Sequence, residues 1–292
     1  MTLKSKLPYF SVIIPCLNEE NFLPHLLTDL NSQNFSNFEV IVVDGNSVDK
    51  TAKIVLEFSA KYPLYLEPTT IRNVSFQRNL GAKIAHGKIF VFFDADTRIP
   101  PNYLKKVAQA FEEKHPHFLT TYINVDSQKV SEKTFASLTN FVFEAGKIFK
   151  TPLSFGAMQA VKRDAFFDVG GYDEATKFGE DSQLFQDLYQ YNYKFLVLSS
   201  PCYTFSLRRF RSEGLFKSFV QSLQLNFNIM LNGHHTNPIV KYEMGGQNYK
   251  LKKIEKSPYS KVFEPLFSKI AQSSPRQNSK LQSIFNRFFS QK

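Results

Sequence analysis

The stretch Ile89 to Pro101, IFVFFDADTRIPP, constrains this chain more than any other. Its apolar run ends abruptly in two carboxylates one residue apart, Asp94 and Asp96, and the chain then turns on Pro100 and Pro101. The pattern reads as a buried strand that delivers acids to its own C-terminal edge. In an open α/β sheet, ligands bind along that edge. No Lys or Arg flanks Asp94, and only Arg98 stands near Asp96, so the pair suits a hard divalent cation that holds a phosphorylated substrate. A strand end followed by an Asp-rich turn explains the same residues without any ligand. The remaining sequence has to decide between the two.

Upstream, the chain alternates strand and helix patterns. Residues 9–16, YFSVIIPC, form a β-rich run; LNEENFLPHLLTDLNSQ then places Phe22, Leu23, Leu26, Leu27 and Leu30 at helical spacing, with Asn18 as a cap and Glu19 and Glu20 in the first turn. A second strand, Glu39 to Val43, runs into an acidic turn and a helix carrying Ile54, Val55 and Phe58. LYLEP reads as a strand, and RNVSFQRNLGAKIAHG as a helix with Leu80, Ile84 and Ala85 on one face, closing at Gly87. This alternation predicts an α/β fold with a parallel sheet and helices on both faces.

The second half is less regular. A helix is expected from Pro101 to Glu113, a strand at HFLTTYINV, helical spacing over residues 131–150, a helix at EDSQLFQDLYQYNYK and a strand at FLVLSSPCYTF. LFKSFVQSLQLNFNIML sets Phe216, Phe219, Val220, Leu223, Phe227 and Met230 on one stripe. After Gly233 the composition turns toward Lys, Ser, Gln and Asn, which divides the chain into a domain at 1–235 and a basic extension at 236–292.

Several further residues can carry chemistry. Asp44 ends the second strand, and strands of a parallel sheet present their C-terminal ends to one cleft. Asp49 and Thr51 suit the cap of the helix that follows. Arg78 offers a guanidinium to a phosphate or a carboxylate, or is a surface arginine. In GED, Asp181 is either a helix cap, a role Ser182 could share, or a general base for an acceptor hydroxyl. SLRRFRSEG clusters Arg208, Arg209 and Arg211, a set that would match a diphosphate if it faced an acidic cleft.

Taken in order, VIIPCLNEE, VVDGNSVDKT, QRNLGAKIAHGKIFVFFDADTRIP, GAMQAVKRDAFFDVGGYDE with GEDSQLFQDL, and RRFRSEG resemble the family 2 glycosyltransferases over residues 9–232. Within that family the chain is most similar to soluble, non-processive members. The resemblance implies a GT-A, Rossmann-like fold, a nucleotide-diphospho-sugar donor and a divalent metal, Mg or Mn. It implies that Asp44 and the loop from Pro15 through Asn18 to Glu19 hold the base and ribose. Asp94 would reach the ribose or a metal water, and Asp96 would ligate the metal. Asp181 would deprotonate the acceptor in a single inverting displacement, while Arg208 and Arg209 neutralise the departing diphosphate. The chain departs from many relatives at Gly45, where they carry a second acid, and it lacks the QxxRW segment of processive synthases.

Two other readings compete. A GT-A domain could bind nucleotide sugar without turnover. A phosphatase of the haloacid dehalogenase type also ends a strand in DxD, but near its N-terminus and with Thr or Val where this chain has Arg98. Composition narrows the setting. Cys16 and Cys202 stand alone, without metal-ligand spacing, which favours a reducing cytoplasm and no disulfide framework. The N-terminal apolar run is too short for a signal peptide, and no stretch reaches the ~18 apolar residues of a membrane span. Of the net charge of +10, the tail from Lys241 onward holds 11 basic against 3 acidic residues. Its Phe, Leu and Ile sit among these cations as in interfacial helices, so peripheral contact with an anionic bilayer is expected, with a lipid-linked or cell-envelope glycan as acceptor and no nucleic acid. A disordered or packed extension accounts for the same composition.

Overall fold

The apolar runs of the sequence become strands because they can be covered on both faces. In the computed structural model, residues 7–208 and Arg211 are described, apart from positions 60, 149–151, 153, 155–156 and 177–178. The strands are β1 (Phe10–Cys16), β2 (Phe38–Asp44), β3 (Leu64–Pro68), β4 (Ile89–Phe93), β5 (Phe118–Val125), β6 (Met158–Lys162) and β7 (Phe195–Phe205). They form one 7-stranded sheet in the order β3-β2-β1-β4-β6-β5-β7. Strands β1 to β4 are mutually parallel, β6 runs antiparallel between β4 and β5, and β7 is parallel to β5. Every residue of β1, β2 and β4 is buried, as expected of central parallel strands.

The helices are α1 (Leu23–Asn31), α2 (Thr51–Ser59), α3 (Val74–Ile84), α4 (Tyr103–Lys114), α5 (Val130–Ile148), α6 (Arg163–Asp168) and α7 (Glu180–Gln190). Strand side chains alternate between two apolar layers. On one face Val12, Ile14, Val40, Val91 and Phe93 meet the leucines of α1 and Tyr103, Leu104 and Val107 of α4. On the other, Ile13, Ile41, Phe90 and Phe92 meet Ala82 of α3, Phe166 of α6 and Leu184, Phe185 and Leu188 of α7. The outcome is a GT-A-type α/β sheet, with the ends of β1, β2 and β4 along one edge.

Three local expectations change. Asn18 does not cap α1, which starts at Leu23 behind Phe22 with no side-chain cap. Pro24 in the first turn supplies a fixed φ and lacks the amide that a cap would satisfy, so the start lies there. Asn18 instead takes a φ of 54°, its amide donates to Ser47 Oγ at 2.8 Å, and its Oδ1 accepts from the Val48 amide at 2.8 Å. The loop after β1 is thereby tied to the loop after β2. Gly87 does not close α3, which ends at Ile84 with Ala85 as its extended cap. Gly87 is there because the chain passes β1 closely: a Cβ would lie 2.5 Å from the Ser11 amide nitrogen. Finally, GAMQAVKRDAFFD contains β6 and α6, whose 5 and 6 residues are too short for a periodic signal.

The 216–230 stripe, the boundary at 235 and the basic tail lie outside the described residues. Among those described, no helix is long and apolar enough to cross a membrane. Because the obstacle at Gly87 is backbone, Gly87→Ala should lower stability by about 1–3 kcal/mol in urea unfolding, whereas Lys88→Ala next to it, an exposed site, should stay within about 0.5 kcal/mol.

Candidate active site

The two acids at the end of β4 are separated by their partners. The Arg78 side chain, carried on α3, is only 2% exposed, which removes the surface-arginine reading. Its Nη2 donates to Asp94 Oδ1 at 2.9 Å and its Nη1 to Glu180 Oε1 at 2.8 Å, while the guanidinium faces the Tyr172 ring at 5.1 Å. A planar fork suits this bridging. Arg78 therefore meets carboxylates, one from the β4 end and one from the first turn of α7.

Asp96 turns the other way. Arg208, just past β7, sets Nη2 3.2 Å from Asp96 Oδ2 and grips Glu19 with both terminal nitrogens at 3.0 Å. Its guanidinium lies 4.2 Å from the Phe22 ring centroid, a cation–π contact. Glu19 is held by its own amide, which donates to Thr51 Oγ1 at 2.8 Å, and its carbonyl accepts from Phe22 and Leu23 at the entry to α1. Burial pushes the Glu19 carboxyl up to about 7, against the pull of Arg208, with Asp96 and Asp94 adding to the rise. Burial likewise raises Asp96; Arg208 opposes it and Asp94 reinforces it.

Asp181 sits in the first turn of α7, behind Gly179 at a φ of 81°. Its Oδ1 accepts from the Ser182 amide at 2.8 Å, and its backbone carbonyl accepts from Gln159 Nε2 of β6 at 2.8 Å. Tyr172 completes the chain by donating its hydroxyl to Gln159 Oε1. Burial, and then the adjacent Glu180, push the Asp181 carboxyl up to about 7, with Arg78 acting against them. Among the described residues no cation forms an ion pair with Asp181. Asp94 is a charged neighbour common to Asp96 and Asp181, so the three acids lie near one another.

Other expected residues are distributed as follows. Asp44, 5% exposed at the end of β2, accepts from the Ser47 amide and hydroxyl and shapes the loop after β2. Pro15 lies within β1 opposite Val43. Asp49 accepts from the amide and hydroxyl of Thr51, so both residues serve the start of α2. Arg98 points away from Asp96: it forks Asp29 of α1 at 2.6 and 2.8 Å, while its backbone bridges Thr204 of β7. Arg211 pairs with Glu132 of α5 at 2.7 Å, and Arg209 lies outside the described residues. Gly45, where many relatives carry an acid, borders the buried Gln77, whose Nε2 would stand 2.4 Å from an added Cβ. Gln77, Gln159, Tyr172 and Glu180 had no assigned role; of these, only Glu180 was signalled, by its place beside Asp181.

Among the described residues, no cluster of three or more His, Cys, Asp or Glu could hold a metal ion by itself. One or two carboxylates completed by substrate phosphate is the donor set that Mg prefers, and Asp96 or Asp94 could supply a carboxylate to it.

Sheet, helices and acidic edge define the GT-A class of nucleotide-sugar transferase folds. A mannosyltransferase from Pyrobaculum calidifontis, solved with GDP-Man and Mn2+, superposes with a TM-score of 0.64 over 99% of this chain and 77% of its own, at 18% identity, which speaks to the fold. The family described as "Glycosyl transferase family 2" matches residues 11–172, more than half of the sequence, and the chain belongs to that family. A relative named uncharacterized glycosyltransferase from Haemophilus influenzae is 30% identical over 66% of this chain and 63% of its own length. The Staphylococcus aureus enzyme named poly(ribitol-phosphate) beta-N-acetylglucosaminyltransferase TarS is 29% identical over 68% of this chain and 36% of its own. Its residues 1–349 in complex with UDP-GlcNAc superpose with a TM-score of 0.56 at 26% identity, over 75% of this chain and 66% of that one. The chain thus spans between about a third and two thirds of the length of these two curated relatives. The haloacid dehalogenase reading falls with this assignment.

Removing Arg78 leaves two acids facing each other without a cation. Arg78→Met should destabilise the domain by about 3 kcal/mol, the low end for breaking a buried pair because Asp94 is partly exposed. Arg78→Lys should recover part of that loss, since an ammonium cannot span both carboxylates; thermal unfolding of the three proteins measures the order.

Proposed function

We propose that the chain is a metal-dependent inverting glycosyltransferase that moves a sugar from a nucleotide-diphospho-sugar to an acceptor hydroxyl. The observation that carries this reading is the division of charge around Asp94. On one side lies Asp181, without a cationic ion-pair partner among the described residues; on the other lie Asp96 and Arg208. Direct displacement at a sugar carbon needs that division, because the nucleophile loses a proton while the leaving group gains charge.

In this reading the acceptor hydroxyl gives its proton to Asp181 as its oxygen bonds to the anomeric carbon from the face opposite the diphosphate. The bond from that carbon to the β-phosphate oxygen breaks, and its electron pair leaves with the nucleoside diphosphate, where Arg208 and Arg209 offset the new charge. Gln159, by fixing the Asp181 backbone, and Arg78, by joining Glu180 to Asp94, hold the base at a set distance from the donor side. A Mg or Mn ion held by Asp96, with Asp94 beside it, would supply charge neutralisation at the diphosphate. Asp44, Asn18 and the loop around them would receive the nucleoside; the tight fit of Gln77 against Gly45 favours recognition of the base without a second acid.

The names of relatives support an acceptor of the cell-envelope or lipid-linked kind: poly(ribitol-phosphate) for TarS, minor teichoic acid for the Bacillus subtilis protein GgaB, and a dolichyl phosphate glycan for a Methanococcus voltae enzyme. A lipid-linked acceptor would bring the chain to an anionic surface suited to its basic tail. Truncation at residue 240 should then reduce flotation with anionic liposomes, and unchanged flotation would argue against that contact.

The proton step has a direct test. Asp181→Asn should lower transfer by about 10²–10⁴-fold while Mn-dependent nucleotide binding, read by thermal shift with UDP, GDP, CDP and dTDP sugars, is retained. Because the base works only when deprotonated and its carboxyl is raised to about 7 in the free protein, wild-type kcat/KM should climb as pH rises through that value. Transfer that persists in Asp181→Asn removes Asp181 as the base; donor binding with no transfer by the wild type to any acceptor hydroxyl would favour a binding protein without turnover.

A further inference from the structure

Arg208 occupies an unexpected position for a group meant to meet a leaving diphosphate. Its fork is already spent on protein carboxylates, both terminal nitrogens on Glu19 and one of them shared with Asp96. Asp96, with its side chain 18% exposed, is the metal ligand of the proposed function, and burying a carboxylate without a countercharge is costly. Arg98, its neighbour in sequence, is engaged by Asp29 and supplies none.

We propose that Arg208 is the resident counter-ion of Asp96, displaced by the incoming divalent cation, and that Glu19 is the positioning residue that keeps the released guanidinium at the cleft for the diphosphate. Three contacts support the division of labour. Glu19 is anchored from α2 at its backbone, the amide donating to Thr51 Oγ1, so the place of the residue in the loop does not depend on Arg208. The Phe22 ring supports one face of the guanidinium, which lets the fork shift its terminal nitrogens without leaving the site. Arg208 Nη2 stands 3.2 Å from Asp96 Oδ2, against 3.0 Å for each of its two bonds to Glu19, which makes the Asp96 contact the easier of the two pairings to surrender.

The consequence is an ordered exchange of charge. A divalent ion arriving alone must push a cation off Asp96 and remain beside it. A diphosphate arriving with the ion accepts the freed donors and removes the repulsion. Arg208 thus opposes binding of metal alone and favours binding of nucleotide, opposite signs from one side chain, and coupling between two ligands through a shared group is reciprocal.

This inference rests on the reading of Asp96 as a metal ligand, and the experiment separates the two. Mn2+ and UDP are titrated separately, by calorimetry, into the full chain and into Arg208→Gln, UDP in the presence of EDTA, with GDP as the second nucleotide. Arg208→Gln should bind Mn2+ alone at least about threefold more tightly and the nucleotide alone at least about threefold more weakly. A merely structural role would weaken both. If Arg208→Gln does not fold, Arg208→Lys, which keeps the charge but cannot fork between Glu19 and Asp96, should show the same two signs at smaller size. Mn2+ binding unchanged or weakened in the folded variant overturns the proposal. Failure of the wild type to bind Mn2+, with or without nucleotide, overturns the metal reading of Asp96 itself.

Discussion

The buried guanidinium of Arg78 is the interaction on which the site depends. It joins Asp94, at the end of a parallel strand in the first half of the chain, to Glu180, in the first turn of a helix from the second half. Full charge in a buried setting is tolerated only when the geometry satisfies it, and here two carboxylates and an aromatic face do so. The pair sets where α7 begins relative to β4. Asp181, one residue beyond Glu180, inherits its position from that bond and from the Gln159 amide. The elevated carboxyls Asp181, Glu19 and Asp96 all owe their shift first to burial, a property of the same closed architecture.

Much of this was legible in the sequence, for a physical reason. Central parallel strands are buried on both faces, so SVIIPC, FEVIVVD and IFVFFD are continuous apolar runs, and the acids at their ends stand out against them. Helices α1 and α2 were readable because each has one apolar stripe turned to the core, whereas α3 buries Gln77, Arg78 and Asn79 and leaves the expected Leu80 and Ile84 half-buried. What could not be read were the pairings. Arg78 finds Glu180 across 102 residues, and Arg208 finds Glu19 across 189. Charge alone does not say which acid an arginine will meet. The notion that Arg98 attends Asp96 was reasonable from adjacency, yet the turn at Ile99 and Pro100 carries its side chain to Asp29 on α1.

Two of the misread details share one cause, which is tertiary contact overriding a local signal. Asn18 has the chemistry of a cap, but Pro24 settles where α1 starts and the loop after β2 claims the Asn18 amide group. Gly87 follows a helix as a terminator would, but the constraint on it is the passage of the chain against Ser11. Strand β6 was missed because five residues, MQAVK, carry too little pattern, although it holds the antiparallel seam between the two halves of the sheet.

That seam has a consequence for how such a chain can diversify. The residues proposed to grip the donor precede Arg98, with Arg208 added from the far end, whereas Gln159, Tyr172, Glu180 and Asp181 all follow β5. Phe92 facing Gln159 and Phe93 facing Met158 in the β4–β6 register are the points where the two sets adjoin. Substitutions on one side of this boundary need not disturb the other as long as the register and the Arg78 bond survive. Under the proposed function, variation on the acceptor side is therefore compatible with a constant donor side, and the boundary marks where segments of related chains could be exchanged.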